Sequence, residues 1–325
     1  MLRRINSGVR VTQHPQLRDL IWAVCSPPLL KALPDWPQVF DVGVTDELRH
    51  RLVRTNTEAL EDHIRRRETR FLGKYFEALW EFFFLHEPRF DVCAKNLQIR
   101  DSERTLGEFD FVVFDHATEK YLQLELAVKF YLGVRETNGH RYTDGEHLWI
   151  GPQARDRLDI KVARALEHQL TLHQHPQARQ QLGDLGINAV EPQILFRGYL
   201  FQPEQPLPLP EYVVPGESLA QWLKLADLER VVADESPCYV LHKRHWLAPP
   251  YADNLGAPLT VAELQSRLHA LIGTENRPVM FVQGSSEPIG AELKRYFVTP
   301  DHWPVDRPKR AKRPGEKQPS ERRWA

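Results

Sequence analysis

A chain of 325 residues with a hydrophobic fraction of 42% and a charged fraction of 27% has a globular composition and is long enough for one large or two modest domains. Its 43 Lys and Arg against 44 Asp and Glu give a formal net charge of -1, which excludes a global basic field, so any nucleic acid contact must come from a local patch. Cys25, Cys93 and Cys238 are too far apart for a CxxC zinc knuckle or a disulfide framework. No apolar run reaches the roughly 18 to 20 residues of a membrane span, and the N-terminal stretch lacks the apolar segment of a signal peptide. The expectation is a cytoplasmic protein with reduced thiols and no membrane contact.

In chain order, the first helical signal covers 15–33, where Leu17, Leu20, Ile21, Val24 and Cys25 recur at three- and four-residue steps until Ser26-Pro27-Pro28 interrupts. A short apolar stretch follows, and Thr45 is placed to cap a short helix through Leu52. A long helix is expected over 57–85. Thr55 and Glu58 have capping-box spacing, Leu60, Ile64, Phe71, Tyr75, Ala78, Leu79 and Phe82 trace an apolar stripe, and Pro88 stops it. Glu77 lies at the rim of that stripe, one turn after Gly73, where a carboxylate is either solvated or reaches into a neighbouring site.

A strand over 90–99 and a charged turn lead into 107–129, the stretch around which the rest is organised. Phe109 to Phe114 and Tyr121 to Phe130 are β-favouring, and the residues between have turn composition, so a hairpin is expected. Along its second strand Leu122, Leu124, Leu126, Val128 and Phe130 fall on one face and Gln123, Glu125, Ala127 and Lys129 on the other. Glu108 and Asp110 share a face of the first strand. Asp110, Glu125 and Lys129 therefore converge if the strands pair. Two carboxylates and an ammonium suit a hard divalent ion that activates water against a phosphate; ordinary salt bridges on a solvated face are the plainer reading.

The polar stretch 133–152 is too long for a simple turn and is a candidate substrate loop. A helix is expected over 156–172, with Arg157, Lys161, Arg164 and His168 near or beyond the edges of its apolar side, and a strand over 193–202. The Pro-rich 203–215 marks a boundary. Beyond it a helix at 218–228, a Trp-rich loop at 242–250, a helix at 261–272, a strand at 279–283 and a last segment at 296–299 form either a small second domain or an extension of the same sheet. The tail from Arg307 is rich in Lys, Arg and Pro and reads as basic and disordered.

The order helix, three strands, helix, strand, together with Glu77, Gly107-Glu108-x-Asp110 and Glu125…Lys129, resembles the PD-(D/E)XK nuclease superfamily over roughly 57–202. The resemblance implies an α/β fold with a restriction-endonuclease-like core, a mixed sheet flanked by helices. In residue terms this gives an N-terminal helical extension (1–54), the core (55–203), a C-terminal α+β region (204–304) and the tail (305–325). It further implies Mg2+ or Mn2+ held by Asp110 and Glu125, Lys129 positioning the attacking water, and Glu77 as accessory acid. Substrate phosphates would be met by Arg141, Arg155, Arg157, Lys161 and Arg164. The chain departs from the pattern at one point. The superfamily's Glu and Lys stand two residues apart, whereas Ala127 takes that place here and Lys129 lies two residues further, about 13 Å from Glu125 along an extended strand. Over most of its length the chain also resembles a bacterial family known only as a domain of unknown function. That likeness is carried by Arg18 to Trp22, Ser26 to Leu30, Leu124 to Leu132, Gly151 to Asp159, His168 to Leu170 and Phe196 to Phe201.

The expected function is thus Mg2+-dependent hydrolysis of phosphodiester bonds in nucleic acid; the alternative is a catalytically inactive nuclease-fold protein serving as a nucleic-acid-binding or assembly module. Histidines at 168, 173 and 175 and at 242 and 245 lack an H-E-x-x-H pattern and read as polar surface. No G-x-S-x-G elbow, phosphate loop or G-x-G-x-x-G fingerprint is present, which removes triad hydrolases, P-loop NTPases and Rossmann oxidoreductases.

Overall fold

The computed structural model describes residues 14–34, 36–135, 148–216, 219–232, 236–250, 255–275, 277–284 and 294–304. The sequence-predicted Arg141, most of the 133–152 loop and the basic tail lie outside these residues.

The N-terminal segment supplies α1 (Pro15–Cys25), a two-residue strand β1 (Gln38–Val39), α2 (Asp46–Val53), α3 (Thr57–Arg65) and α4 (Leu72–His86). Thr45 caps α2, its hydroxyl oxygen accepting from Leu48 N at 3.1 Å. The helix expected over 57–85 is two helices. Between Ile64 and Phe71 the chain reads Arg65-Arg66-Arg67-Glu68-Thr69-Arg70, with no apolar side chain to keep the stripe on the core, and tertiary burial is what holds most helices together. Arg67 fastens the break, donating to His63 O at 2.7 Å and pairing with Glu81. The cap of α3 is Asn56 rather than Thr55: its side chain accepts from Glu58 N and Ala59 N. Phe71, read as part of the stripe, is 62% exposed.

Strands β2 (Phe90–Arg100), β3 (Thr105–Asp115) and β4 (Lys120–Val134) form the antiparallel meander the sequence indicates, and β5 (Leu148–Ile150) returns against the end of β4. The helix expected over 156–172 is α5 (Leu158–Arg164) continued by a π-helical turn at Ala165–Gln169. Helix α6 (Pro176–Asp184), which no apolar periodicity announces, precedes β6 (Glu191–Gln202). Strand β6 runs parallel to β4 from Leu122↔Glu191 to Leu132↔Phe201. Gly198 permits this approach, because a Cβ there would stand 1.7 Å from Lys129 O, and its φ of +145° also favours glycine.

The segment expected as a helix over 218–228 is instead strand β7 (Leu219–Lys224), followed by the short α7 (Leu228–Val231). It is gripped on both edges, by β6 and by β10 (Lys294–Thr299), and ladder bonds from two sides outweigh a weak helical pattern. Strands β8 (Cys238–Val240) and β9 (Val279–Gln283) and helix α8 (Val261–Glu275) complete the chain. The strands beyond the Pro-rich segment thus join the same mixed, ten-stranded sheet, in the order β2-β3-β4-β6-β7-β10-β9-β8 with β1 on β6 and β5 on β4.

Helices cover the sheet from two sides. α1 and α4 pack Leu20, Trp80 and Phe84 against Phe111, Leu124, Leu126 and Phe130. α5 packs Leu158 and Val162, and the π-helical turn packs Ala165, against Ala127, Tyr131, Ile194 and Phe196. Both faces of β4 are therefore buried, the alternation of its side chains selecting which layer each one meets. No helix among the described residues is long and apolar enough to cross a membrane.

Candidate active site

The hairpin's two strands part in the middle of the sheet. Pairing between β3 and β4 runs from Asp115↔Lys120 only to Phe111↔Leu124, while β4 continues along β6. On the other flank Lys95↔Phe111 and Leu97↔Phe109 bracket Asn96, whose φ of +49° breaks the regular pleat of β2. Asp110 sits at this distorted point. Its Oδ2 accepts from Leu126 N at 2.8 Å, replacing the strand carbonyl that β3 no longer supplies to that donor.

Glu125 is the neighbouring carboxylate, only 5% exposed on the α5 face of β4. Lys161 Nζ lies 2.7 Å from its Oε1, and Gln169 Nε2 donates to its Oε2 at 3.3 Å. The π-helical turn carries Gln169 and is itself held by Gln123, whose Nε2 donates to Gln169 O at 2.8 Å. Insertions of this kind occur often at functional sites. Lys161 also stands 5.1 Å from the centre of the Phe196 ring, so its charge is shielded from water on one side.

Burial pushes the Asp110 carboxyl up to about 8, and the charges of Glu125 and Glu77 add to this against the Leu126 N–H and Lys161. A carboxyl raised in this way gains from a nearby cation. Glu77, from α4 on the opposite layer, pairs with Lys74 at 2.7 Å. Burial acts to lower the Lys74 ammonium's pKa, but the Glu77 hydrogen bond and the charges of Glu77, Glu108 and Asp110 outweigh it and raise it. The fork thus brings together Asp110 and Glu125 with Glu77 from one helical layer and Lys161 from the other.

Lys129 does not join this group. Its Nζ is 2.5 Å from Asp156 Oδ2, and Tyr131 OH donates to the same oxygen at 3.3 Å, which ties the loop before α5 to the sheet. Arg155 and Arg164 are exposed, and Arg157 pairs with Asp159. Sequence reasoning named Lys161 only as a phosphate contact. Its spacing from Leu158 and Val162, three residues and one, places it beside the buried stripe of α5 and is the signal that it reaches inward. Gln169 falls on the apolar side of the expected helix with Leu158, Val162, Ala165 and Leu166, but its aim at Glu125 depends on the π insertion.

Among the described residues no group of three or more His, Cys, Asp or Glu is arranged to hold a metal ion. Two carboxylates do fit Mg2+, which takes one or two from protein and keeps several waters, and the raised pKa of Asp110 is the electrostatic condition a cation relieves. A cleft of about 540 Å3 walled by Val134, Leu148, Ile150, Trp222 and Trp303 lies apart from the fork and is lined by none of Glu77, Asp110, Glu125 or Lys161.

Residues 18–299 match the family described as a domain of unknown function (DUF1853). No curated protein and no solved structure matches the chain.

Proposed function

The chain belongs to the DUF1853 family, a domain of unknown function, and we propose that it is a metal-dependent nuclease with a restriction-endonuclease-like core of the PD-(D/E)XK kind. The observation that carries this is the fork itself: Asp110 and Glu125 side by side where β3 leaves β4, with an ammonium 2.7 Å from Glu125. Asp110 and Glu125 would hold Mg2+ or Mn2+, which when bound supplies a Lewis acid for the scissile phosphate and a water of lowered pKa.

The chain's own groups perform the remaining tasks. Lys161, rather than Lys129, is the cation beside the carboxylates; it donates to the attacking water or to a phosphate oxygen and offsets developing negative charge. Gln169 fixes the orientation of Glu125, and Gln123 fixes Gln169. Lys129 holds Asp156 and with it the entry to α5, so it acts on the site through the placement of Lys161. Glu77 adds negative charge on the α4 side. Arg155, Arg157 and Arg164 supply phosphate contacts that position the backbone.

A second reading is favoured by one detail. Both oxygens of Glu125 already have protein partners, as they would in a catalytically inactive protein that binds nucleic acid or assembles with other proteins. Cleavage of labelled single- and double-stranded oligonucleotides in Mg2+ or Mn2+, compared between wild type and Glu125→Ala, separates the two. Metal-dependent cleavage lost in the variant supports the nuclease; binding without cleavage in the wild type supports the inactive protein.

A further inference from the structure

Phe71 serves neither of the purposes that ordinarily hold an aromatic residue at its position. It is the cap residue of α4, a place favouring Ser, Thr, Asp or Asn, yet it makes no side-chain capping bond. With 62% of its surface exposed it is also outside the core. Its neighbours are charged, and several of the cations among them are ion-paired. The Arg70 guanidinium carbon lies 6.0 Å from the Phe71 ring centre, Arg65 and Arg66 are exposed and both pair with Asp62, and Lys74 follows one turn along α4. Glu68 is the acidic residue of the turn itself.

The turn also leads into the helix that carries Glu77. Glu77, whose charge acts on Asp110, is six residues further along α4, about 9 Å at 1.5 Å per residue. On the other helical layer Ile160, 56% exposed, lies beside Lys161.

Resting on the nuclease reading, we infer that the turn 65–71 is a docking surface for single-stranded nucleic acid, with an unpaired base stacked on Phe71 and the flanking phosphates met by Arg70 and Arg66. Charge complementarity selects this occupant. An exposed ring offers a face to any base, and the arginines around it offer the charge a phosphate chain needs, which is the combination used on unpaired strands. Bases inside a duplex have no free face to give. The protein is therefore a nuclease for single strands or for frayed and unpaired segments.

The test is fluorescence anisotropy in EDTA, which prevents cleavage, using a labelled mixed-sequence single strand and a blunt duplex of the same length. The wild type binds the single strand more tightly than the duplex. Phe71→Ala lowers single-strand affinity roughly tenfold, as loss of one stacked base does, with little change on duplex and no change in melting temperature. Phe71→Trp keeps the affinity, and its indole emission is quenched when the strand binds. Wild-type affinity for the single strand in Phe71→Ala, or an equal loss on duplex, overturns the inference and leaves the nuclease reading standing. A wild type that binds neither probe overturns both.

Discussion

Lys161 Nζ stands 2.7 Å from Glu125 Oε1 although 36 residues separate them in the chain, whereas Lys129, on the same strand as Glu125, ends on Asp156. The cation of the carboxylate site is thus delivered by helix α5. Replacing the two lysines should have unlike effects. Lys161→Met removes the charge beside Glu125 and, on the proposed function, should lower metal-dependent cleavage by about 10²-fold or more. It also leaves the buried Glu125 without its charge partner, with only the Gln169 amide donating to it, at a cost of about 3 kcal/mol in stability. Lys129→Met should lower activity less. Single-turnover rates with urea unfolding of both variants provide the check; equal rate losses would remove the distinction.

Burial, with the charges of Glu125 and Glu77, pushes the Asp110 carboxyl up to about 8 in the folded protein, against about 4 in an unfolded chain. Between these values the unfolded state releases a proton that the folded state retains, so this group's contribution to stability falls as pH rises from about 4 to about 8. Asp110→Asn removes the effect. In metal-free buffer the variant should melt above the wild type at about pH 8, and the gap should close toward pH 4. Coincident melting at pH 8 would show that the carboxyl is not held in this state.

Gly198→Ala should abolish folding. The added methyl would lie 1.7 Å from Lys129 O, backbone that cannot move without opening the β4–β6 ladder, and losses above about 4 kcal/mol are expected from such a site. Soluble expression and circular dichroism give the outcome directly.

Binding should weaken steeply with salt. Each phosphate contact removed lowers the slope of log K against log salt by roughly 0.7 to 0.9. Arg155→Gln and Arg164→Gln, both on exposed positions, should each reduce it by about that amount without selecting between sequences. Slopes identical to the wild type would place the phosphates elsewhere.

The hairpin was legible in the sequence because it is written in two local signals, strand alternation and turn composition. Asp110 and Glu125 followed from parity alone. The lysine did not. Four residues of strand separate Lys129 from Glu125, and only the packing of Leu158 and Val162 on the sheet shows that Lys161 arrives instead. The break at 66–71 was hidden because Phe71 continued the apolar spacing of Ile64 while its side chain turned to solvent. Strand β7 was misread for a similar reason. Its residues Leu219, Trp222 and Leu223 are compatible with a helical stripe, and the partners that make them a strand, β6 and β10, come from other parts of the chain. The π turn that aims Gln169 has no local signature of the kind used.

The most direct measurement is calorimetric titration of the wild-type protein with Mg2+ and Mn2+, repeated with Asp110→Ala and Glu125→Ala. Binding of one of these ions by the wild type and its loss in both variants is the predicted result. A wild type that binds neither ion, or variants that bind as it does, would contradict a metal-dependent site at the fork of β3 and β4.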